Sequence, residues 1–121
     1  MGFRFREWKI YKDARQFRQD VRQHVVSKMP KSEKFELVSQ LKRALDSIIL
    51  NIAEGSYRVT DKDFAHFLSQ AQGSLSEVVS CLDICLDDGY ITNDELEEYE
   101  IKAESLAKQL MSFGKSLRQS L

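Results

Sequence analysis

Residues that interrupt or cross-link a chain are scarce in this sequence. Its 121 residues include one proline and five glycines, which favours helix, and only two cysteines and two histidines. No apolar run approaches the roughly 18 residues of a membrane span, and the basic N-terminus has no apolar centre of the signal-peptide type. Position 6 is Arg6, where a myristoylation signal needs Ser or Thr. We therefore expect a cytoplasmic protein with no membrane anchor.

The few cysteines and histidines form no recognisable catalytic or metal-binding motif. Cys81 and Cys85 lie one helical turn apart without a second pair of ligands, so we predict that they are reduced, small core residues. Asp63-x-x-His66 is one imperfect half of a dimetal carboxylate site. Glycine-rich phosphate loops are absent too. The sequence therefore predicts a protein that is not an enzyme and that has no cofactor and no metal site.

Apolar side chains recur at helical spacing in four stretches. The first two stretches are Trp8, Tyr11, Ala14, Phe17, Val21 and Val25, followed by Phe35, Val38, Leu41, Leu45, Ile48 and Ile52. The predicted helices cover residues of about 6–27, 33–56, 61–88 and 93–118. Because short turns join them, neighbouring helices must run antiparallel. We predict an all-α single domain, residues 1–121, with the architecture of an antiparallel up-down-up-down four-helix bundle.

The predicted helices have recognisable start and stop signals. These are the Pro30 turn, Ser32 as the N-cap of the second helix, Thr60 as the N-cap of the third, an Asp88-Gly89 stop, and a Thr92–Glu95 capping box before the fourth.

Charge is unevenly distributed along the chain. Residues 1–31 contain nine basic and three acidic side chains, a net charge of +6, whereas residues 59–91 contain one basic and six acidic side chains, a net charge of −5. Such asymmetry can serve an anionic partner. It can also be neutralised internally, by an acidic helix of the same chain or by the acidic face of another copy.

A polar stripe runs along the second helix, on a different side from its apolar face. Its residues are Gln40, Arg43, Ser47, Asn51, Glu54 and Arg58, and a matching series on the third helix is Asp63, His66, Gln70, Gly73, Glu77 and Ser80. Each stripe can be a solvated face. The alternative is an interface, because Ser, Asn and Gly are poor helix formers and small residues permit close approach of another helix. We hypothesise that Arg43, Asn51, Glu54 and Glu77 form one hydrogen-bonded network at a helix or subunit junction.

One motif spans the second and third helices. It is Gln40-Leu41-x-Arg43-Ala44-x-x-Ser47-Ile48-x-x-Asn51-Ile52-Ala53-Glu54-Gly55, followed by Phe64-x-x-Phe67-Leu68-x-x-Ala71-x-Gly73-Ser74-x-x-Glu77. The motif resembles that of the four-helix-bundle proteins encoded within intervening sequences of bacterial large-subunit ribosomal RNA genes. The family often has proline after the Ser-Ile pair, where this chain has Ile49, so a kink there should be weak or absent.

The resemblance implies an assembly. Members of this family are similar to the accessory variability determinant of diversity-generating retroelements, a barrel-shaped pentamer that binds reverse transcriptase and nucleic acid, and they tend to form pentamers themselves. We therefore expect a homopentamer without established catalysis. The residues expected in its polar network or subunit interface are Gln40, Arg43, Ser47, Asn51, Glu54, Arg58, Ser74 and Glu77.

The basic first helix is the candidate binding site for RNA or DNA. Its candidate residues are Arg4, Arg6, Lys9, Lys12, Arg15, Arg18 and Arg22. Five copies in a ring would gather about thirty excess positive charges, enough for salt-sensitive, sequence-tolerant contact with phosphates. The alternative is a scaffold that holds a protein partner and has no nucleic-acid role, with its basic helix neutralised by acids from neighbouring copies.

Overall fold

The structure is a computed structural model, in which residues 2–119 are described. Within these residues the chain is all α, with four long helices, three short 3-10 segments and no strand. The helices are α1 (Lys9–His24), α2 (Leu37–Gly55), α3 (Asp61–Asp87) and α4 (Asn93–Gln119), and the 3-10 segments are Arg4–Glu7, Val26–Lys28 and Lys31–Glu33. This architecture is consistent with the predicted four-helix bundle.

The four helices enclose one apolar core. Helix α3 packs mainly on α2 and α4, and α1 packs on the same two helices. The largest fully buried side chains come from all four helices and include Val21, Leu41, Leu45, Ile48, Ile52, Leu68, Leu82, Leu106 and Leu110. Each such side chain stabilises the fold by roughly 1.5 to 3 kcal/mol relative to an exposed position. Within residues 2–119, no helix combines the length and the apolar character needed to cross a lipid bilayer.

Side chains cap the starts of α3 and α4 as predicted. The hydroxyl oxygen of Thr60 accepts a hydrogen bond from the backbone N–H of Asp63, at 3.1 Å. Before α4, the backbone N–H of Thr92 donates to the Glu95 carboxylate at 3.0 Å, and the backbone N–H of Glu95 donates to the Thr92 hydroxyl at 3.2 Å. This reciprocal pair is the predicted capping box.

Helix α3 ends in a Schellman motif at the predicted stop. Gly89 has φ +79°, which glycine adopts without the clash that a side chain would cause. The N–H of Tyr90 donates to the carbonyl of Cys85 at 2.8 Å, and the N–H of Gly89 donates to the carbonyl of Leu86 at 3.0 Å. These two hydrogen bonds and the positive φ of Gly89 therefore end α3 at the turn that leads to α4.

The predicted start of the second helix is wrong. Ser32 lies in a 3-10 segment and caps nothing, and α2 begins only after Glu36, whose φ of −118° and ψ of −95° are not helical. Phe35, predicted to be in the core, is 85% exposed. The Tyr90 hydroxyl donates to the Glu33 carboxylate at 3.1 Å, which ties this segment to the turn between α3 and α4.

The first helix, predicted from about residue 6, begins three residues later at Lys9, and residue 6 lies in a 3-10 segment. Trp8 has extended backbone dihedrals and precedes α1 instead of occupying its apolar face. Ile10, which the sequence interpretation left out, is 5% exposed and occupies the core position there. Trp8 instead stacks on Phe64 with ring centroids 5.7 Å apart and contacts the edge of Phe113 at 5.3 Å.

Candidate functional site

The predicted interface residues lie along adjoining sides of α2 and α3. We call them the polar ridge: Gln40, Arg43, Ser47, Asn51, Glu54 and Arg58 from α2 and the following turn, with Ser74 and Glu77 from α3. Two direct bonds join the helices. The Arg43 guanidinium donates to the Glu77 carboxylate at 3.2 Å, and the Ser74 hydroxyl donates to the Ser47 hydroxyl at 2.8 Å.

The ridge of a single chain contains three separate hydrogen-bonded groups, whereas the hypothesis placed Arg43, Asn51, Glu54 and Glu77 in one network. The Asn51 amide donates to the Ser47 carbonyl at 2.8 Å and to the Ser47 hydroxyl at 3.0 Å, which extends the serine pair. Glu54 accepts from Arg58 at 2.6 Å, one helical turn away. Side chains four residues apart on a helix are neighbours, so Glu54 bonds Arg58 instead of joining Arg43 or Asn51.

The charged side chains of the ridge are exposed in a single chain, whereas Ser47, Asn51 and Ser74 are half-buried. The Arg43 and Glu77 side chains are 66% and 40% exposed, and an ion pair of that exposure contributes no more than about 1 kcal/mol to stability. A methyl group added at Gly73 would meet no other atom within 4 Å. This surface is therefore accessible to another molecule.

The basic surface and the polar ridge share an edge. A groove of about 550 Å³ lies between α1 and α2, and Lys12, Arg15 and Arg18 line it. A second groove of about 490 Å³ follows the ridge on α2. Asp46 and Leu50 line both grooves, and Leu50 is 63% exposed. The two predicted surfaces thus form one continuous face.

Three of the seven candidate nucleic-acid-binding residues are paired with carboxylates. The pairs are Lys9 with Asp13 at 2.6 Å, Lys12 with Glu7 at 3.7 Å, and Arg18 with Asp46 at 2.6 Å. The hydrogen bond from Lys9, together with one from Gln109, lowers the pKa of Asp13, so this carboxylate stays charged and partly neutralises its neighbours. Glu7 and Asp13 are already counted in the net charge of +6 for residues 1–31, so of these three pairs only Arg18–Asp46 offsets that excess with an acid from another helix.

The other four candidates, Arg4, Arg6, Arg15 and Arg22, have no ion pair with a carboxylate within residues 2–119. Arg4, Arg6 and Arg15 are exposed, and Arg22 is half-buried. These four guanidinium groups are the part of the basic surface that is available to an anion.

Comparison with known proteins connects this fold to one family. The family model of the 23S rRNA-intervening sequence protein matches residues 6–112. The chain belongs to this family. The resemblance drawn from the motif is thus confirmed.

Solved structures also resemble this member of the intervening-sequence protein family, one of them over nearly its whole length. It is the crystal structure of a protein of unknown function from the S23 ribosomal protein family of Bacteroides thetaiotaomicron, with a TM-score of 0.74 and 22% sequence identity, covering 88% of this chain and 98% of that chain. At this identity the likeness shows the fold alone. Among curated proteins, none matches this chain.

The glycine that ends the α2 part of the motif of this intervening-sequence family member has a packing role. A Cβ atom built at Gly55 would lie 2.8 Å from the Cβ of Phe67 and 2.9 Å from Cδ1 of Phe64. Both contacts are shorter than van der Waals separation. The end of α2 can therefore approach the start of α3 this closely only because residue 55 has no side chain.

The cysteines of this family member are buried, as predicted. Cys81 and Cys85 are 3% and 0% exposed. Burial raises the pKa of the Cys85 thiol to about 11, and burial followed by the negative charge of Glu77 raises that of Cys81. Over residues 2–119, no group of three or more His, Cys, Asp or Glu side chains is placed to hold a metal ion.

The sequence interpretation missed an aromatic group beside the basic surface. We call Phe3, Phe5, Tyr11 and Tyr57 the aromatic end cluster. Its ring centroids are 4.9 Å apart for Phe5 and Tyr11, 6.0 Å for Phe3 and Tyr57, and 6.2 Å for Phe5 and Tyr57. A sequence signal existed, because phenylalanine and arginine alternate over residues 3–6. The contribution of Tyr57 depends on the tertiary fold and has no comparable signal.

Proposed function

We propose that this protein is a non-enzymatic, cytoplasmic, self-associating bundle that binds RNA through the Arg4–Glu7 segment and α1. The observation that carries the proposal is the set of four arginines that have no carboxylate partner within residues 2–119, of which Arg15 lines the groove between α1 and α2 together with Lys12 and Arg18. Guanidinium groups form charge-assisted, often bidentate hydrogen bonds with phosphate oxygens. The name of the family, which refers to intervening sequences of 23S rRNA, favours RNA over DNA as the ligand.

The proposed bundle has antiparallel neighbouring helices. Along α1 and the segment after it, Asp13, Asp20 and Lys28 bond Gln109, Lys102 and Glu95 respectively, so the partner number falls as the α1 number rises. Between α2 and α3, the Arg43–Glu77 and Ser47–Ser74 contacts follow the same inverse order. These pairs support the up-down-up-down topology.

Self-association through the polar ridge would complete the proposed RNA-binding surface. The exposed Leu50, the open backbone at Gly73 and the small residues Ser47 and Ser74 give this face room for a helix of another copy. Because the ridge and the basic groove share an edge, assembly would bring the basic surfaces of several copies near one another. In a homopentamer, five such surfaces would bind one RNA more tightly than any single copy.

Fluorescence anisotropy with labelled RNA tests the binding proposal. We expect affinity to fall steeply between about 50 and 200 mM salt, because bound phosphates release counterions. Reversal of Arg15 to Glu should weaken binding and flatten the salt dependence. A Lys108→Glu variant, which makes the same charge change at an exposed position on α4, is the matched control and should bind as wild type does. Lack of RNA binding at low salt would refute the proposal.

Native mass spectrometry and light scattering test the assembly. We expect a particle several times heavier than the 14.0 kDa chain, and a shift toward lighter species for Arg43→Ala. Lys108→Ala is again the control, since its position is exposed on α4. A single chain in solution at every accessible protein concentration would contradict the proposed assembly.

A protein-binding scaffold is the second candidate, and one observation favours it. Residues 83–104 contain nine acidic side chains and one lysine, and within this segment Ile84 and Ile101 are 44% and 63% exposed. Apolar side chains framed by acids suit a basic, amphipathic protein partner. A scaffold should retain a protein partner but no RNA from a lysate at low salt, whereas an RNA-binding protein should retain RNA.

A further inference from the structure

The aromatic end cluster lies where the N-terminal 3-10 segment meets the end of α2. Its rings contact one another edge to face, with interplanar angles of 60° to 77°. This packing holds the rings in place but leaves Phe3 and Tyr57 55% and 61% exposed. The cluster therefore presents ring surface to solvent in a fixed arrangement, beside a cleft of about 290 Å³ lined by Arg4, Phe5 and Tyr57.

The charges around these rings are mostly positive. The Arg6 guanidinium lies 5.6 Å from the Phe3 ring centroid, and the Arg15 guanidinium lies 5.9 Å from that of Tyr11. Arg4 lines the cleft beside Tyr57. The nearby carboxylate of Glu7 is paired with Lys12 at 3.7 Å. Exposed aromatic rings bordered by arginines match a ligand that has both flat aromatic groups and negative charges.

We infer that the aromatic end cluster binds single-stranded nucleic acid, with unpaired bases stacked on Tyr57 and Phe3 and with phosphates bound by Arg4, Arg6 and Arg15. This inference rests on the proposed RNA-binding function and specifies its ligand. A paired base in a duplex has its faces covered by its neighbours and cannot stack on a protein ring without first leaving the helix. Stacking on every base type is possible, so the site has little sequence preference.

Binding of a labelled oligouridylate and of a fully paired RNA duplex of equal length tests the inference. The single strand should bind more tightly than the duplex. Tyr57→Leu and Phe3→Leu keep an apolar side chain but remove the ring, and each should weaken binding of the single strand about 5- to 150-fold, with little change in salt dependence. Tyr57→Phe keeps the ring and should retain affinity.

Phe35→Leu is the matched control, because it removes another exposed ring with a cation above it. Phe35 is 85% exposed, and the Lys34 ammonium lies 5.5 Å from its ring centroid. Phe35 precedes α2 and Tyr57 follows α2, so the two rings lie at opposite ends of that helix. This variant should bind the oligouridylate as wild type does. Circular dichroism verifies that all variants fold.

The outcomes separate this inference from the proposed function. If wild-type protein binds RNA but the two ring variants bind equally well, or if duplex and single strand bind equally, the inference is overturned and RNA binding stands. If neither RNA binds at low salt, the proposed function and the inference both fail.

Discussion

Substitution of Gly55 by alanine tests the close packing of α2 on α3. The added Cβ would lie 2.8 Å from the Cβ of Phe67, an atom fixed to the backbone of α3, and 2.9 Å from the Phe64 ring. A flexible side chain could rotate away from this contact, but Phe67 Cβ can move only with its helix. The substitution should therefore push the end of α2 away from the start of α3.

The expected loss of stability in the Gly55→Ala variant is the difference between two opposing contributions. Overpacking of this kind typically costs about 1 to 3 kcal/mol. Replacement of glycine by alanine in a helix returns up to about 1 kcal/mol through its higher helix propensity. Because Phe67 Cβ cannot rotate away, we take the overpacking cost from the upper part of this range, about 2 to 3 kcal/mol, and expect a net decrease of about 1 to 2 kcal/mol in the free energy of unfolding. For a chain of this length, that decrease lowers Tm by roughly 3 to 10 °C.

Urea unfolding followed by circular dichroism measures this change. The control is Gly114→Ala on α4, where the added Cβ would only come within 3.4 Å of the Arg118 guanidinium, a movable group. The control should be as stable as wild type or slightly more stable. A Gly55→Ala protein that equals or exceeds wild type in stability would refute the argument from close packing.

Three further outcomes are expected. Gly73→Ala should raise the free energy of unfolding of the single chain by up to about 1 kcal/mol, because its Cβ meets no atom, yet weaken self-association measured by analytical ultracentrifugation. Cys81 and Cys85 should resist a thiol reagent at neutral pH until urea unfolds the protein, because burial raises both thiol pKa values. The hydrogen bond from Lys28, followed by that from the Thr92 N–H, lowers the pKa of Glu95. The charged carboxylate therefore stabilises the fold above a pH of about 4.5, and this contribution is lost as the pH falls through the lowered pKa. In acid, the free energy of unfolding of a Glu95→Gln variant should therefore depend less on pH than that of wild type.

The ends of helices could be predicted where the residues that form the cap lie close together in the sequence. Thr60, Gly89 and the Thr92–Glu95 box act through bonds to residues at most five positions away, so the sequence contains the whole interaction. The start of α2 was not predictable in this way. Its geometry involves the Tyr90 hydroxyl, far along the chain, and Phe35 fits the apolar spacing although it lies outside the core.

The candidate site likewise has contacts that the sequence predicted and contacts that it did not. The spacing of Arg43, Ser47 and Asn51 placed them on one side of α2. The Arg43–Glu77 contact joins the stripes of the two helices, whereas the Ser47–Ser74 contact involves a residue outside the α3 stripe. The sequence did not predict that Glu54 would pair with Arg58 instead of joining them. Which of several acceptors a long side chain bonds depends on distances that periodicity leaves undefined.

By itself, the sequence determined the helical class, the apolar faces, most of the caps and the family, because these depend on residue type and on spacing within one helix. Only the tertiary structure decided which arginines lack a carboxylate, that Gly55 lies against Phe64 and Phe67, and that Tyr57 joins the aromatic residues of the N-terminal segment. These features are contacts between residues that are distant in the chain. Their geometry is set when the helices pack together, so spacing along one helix cannot specify it.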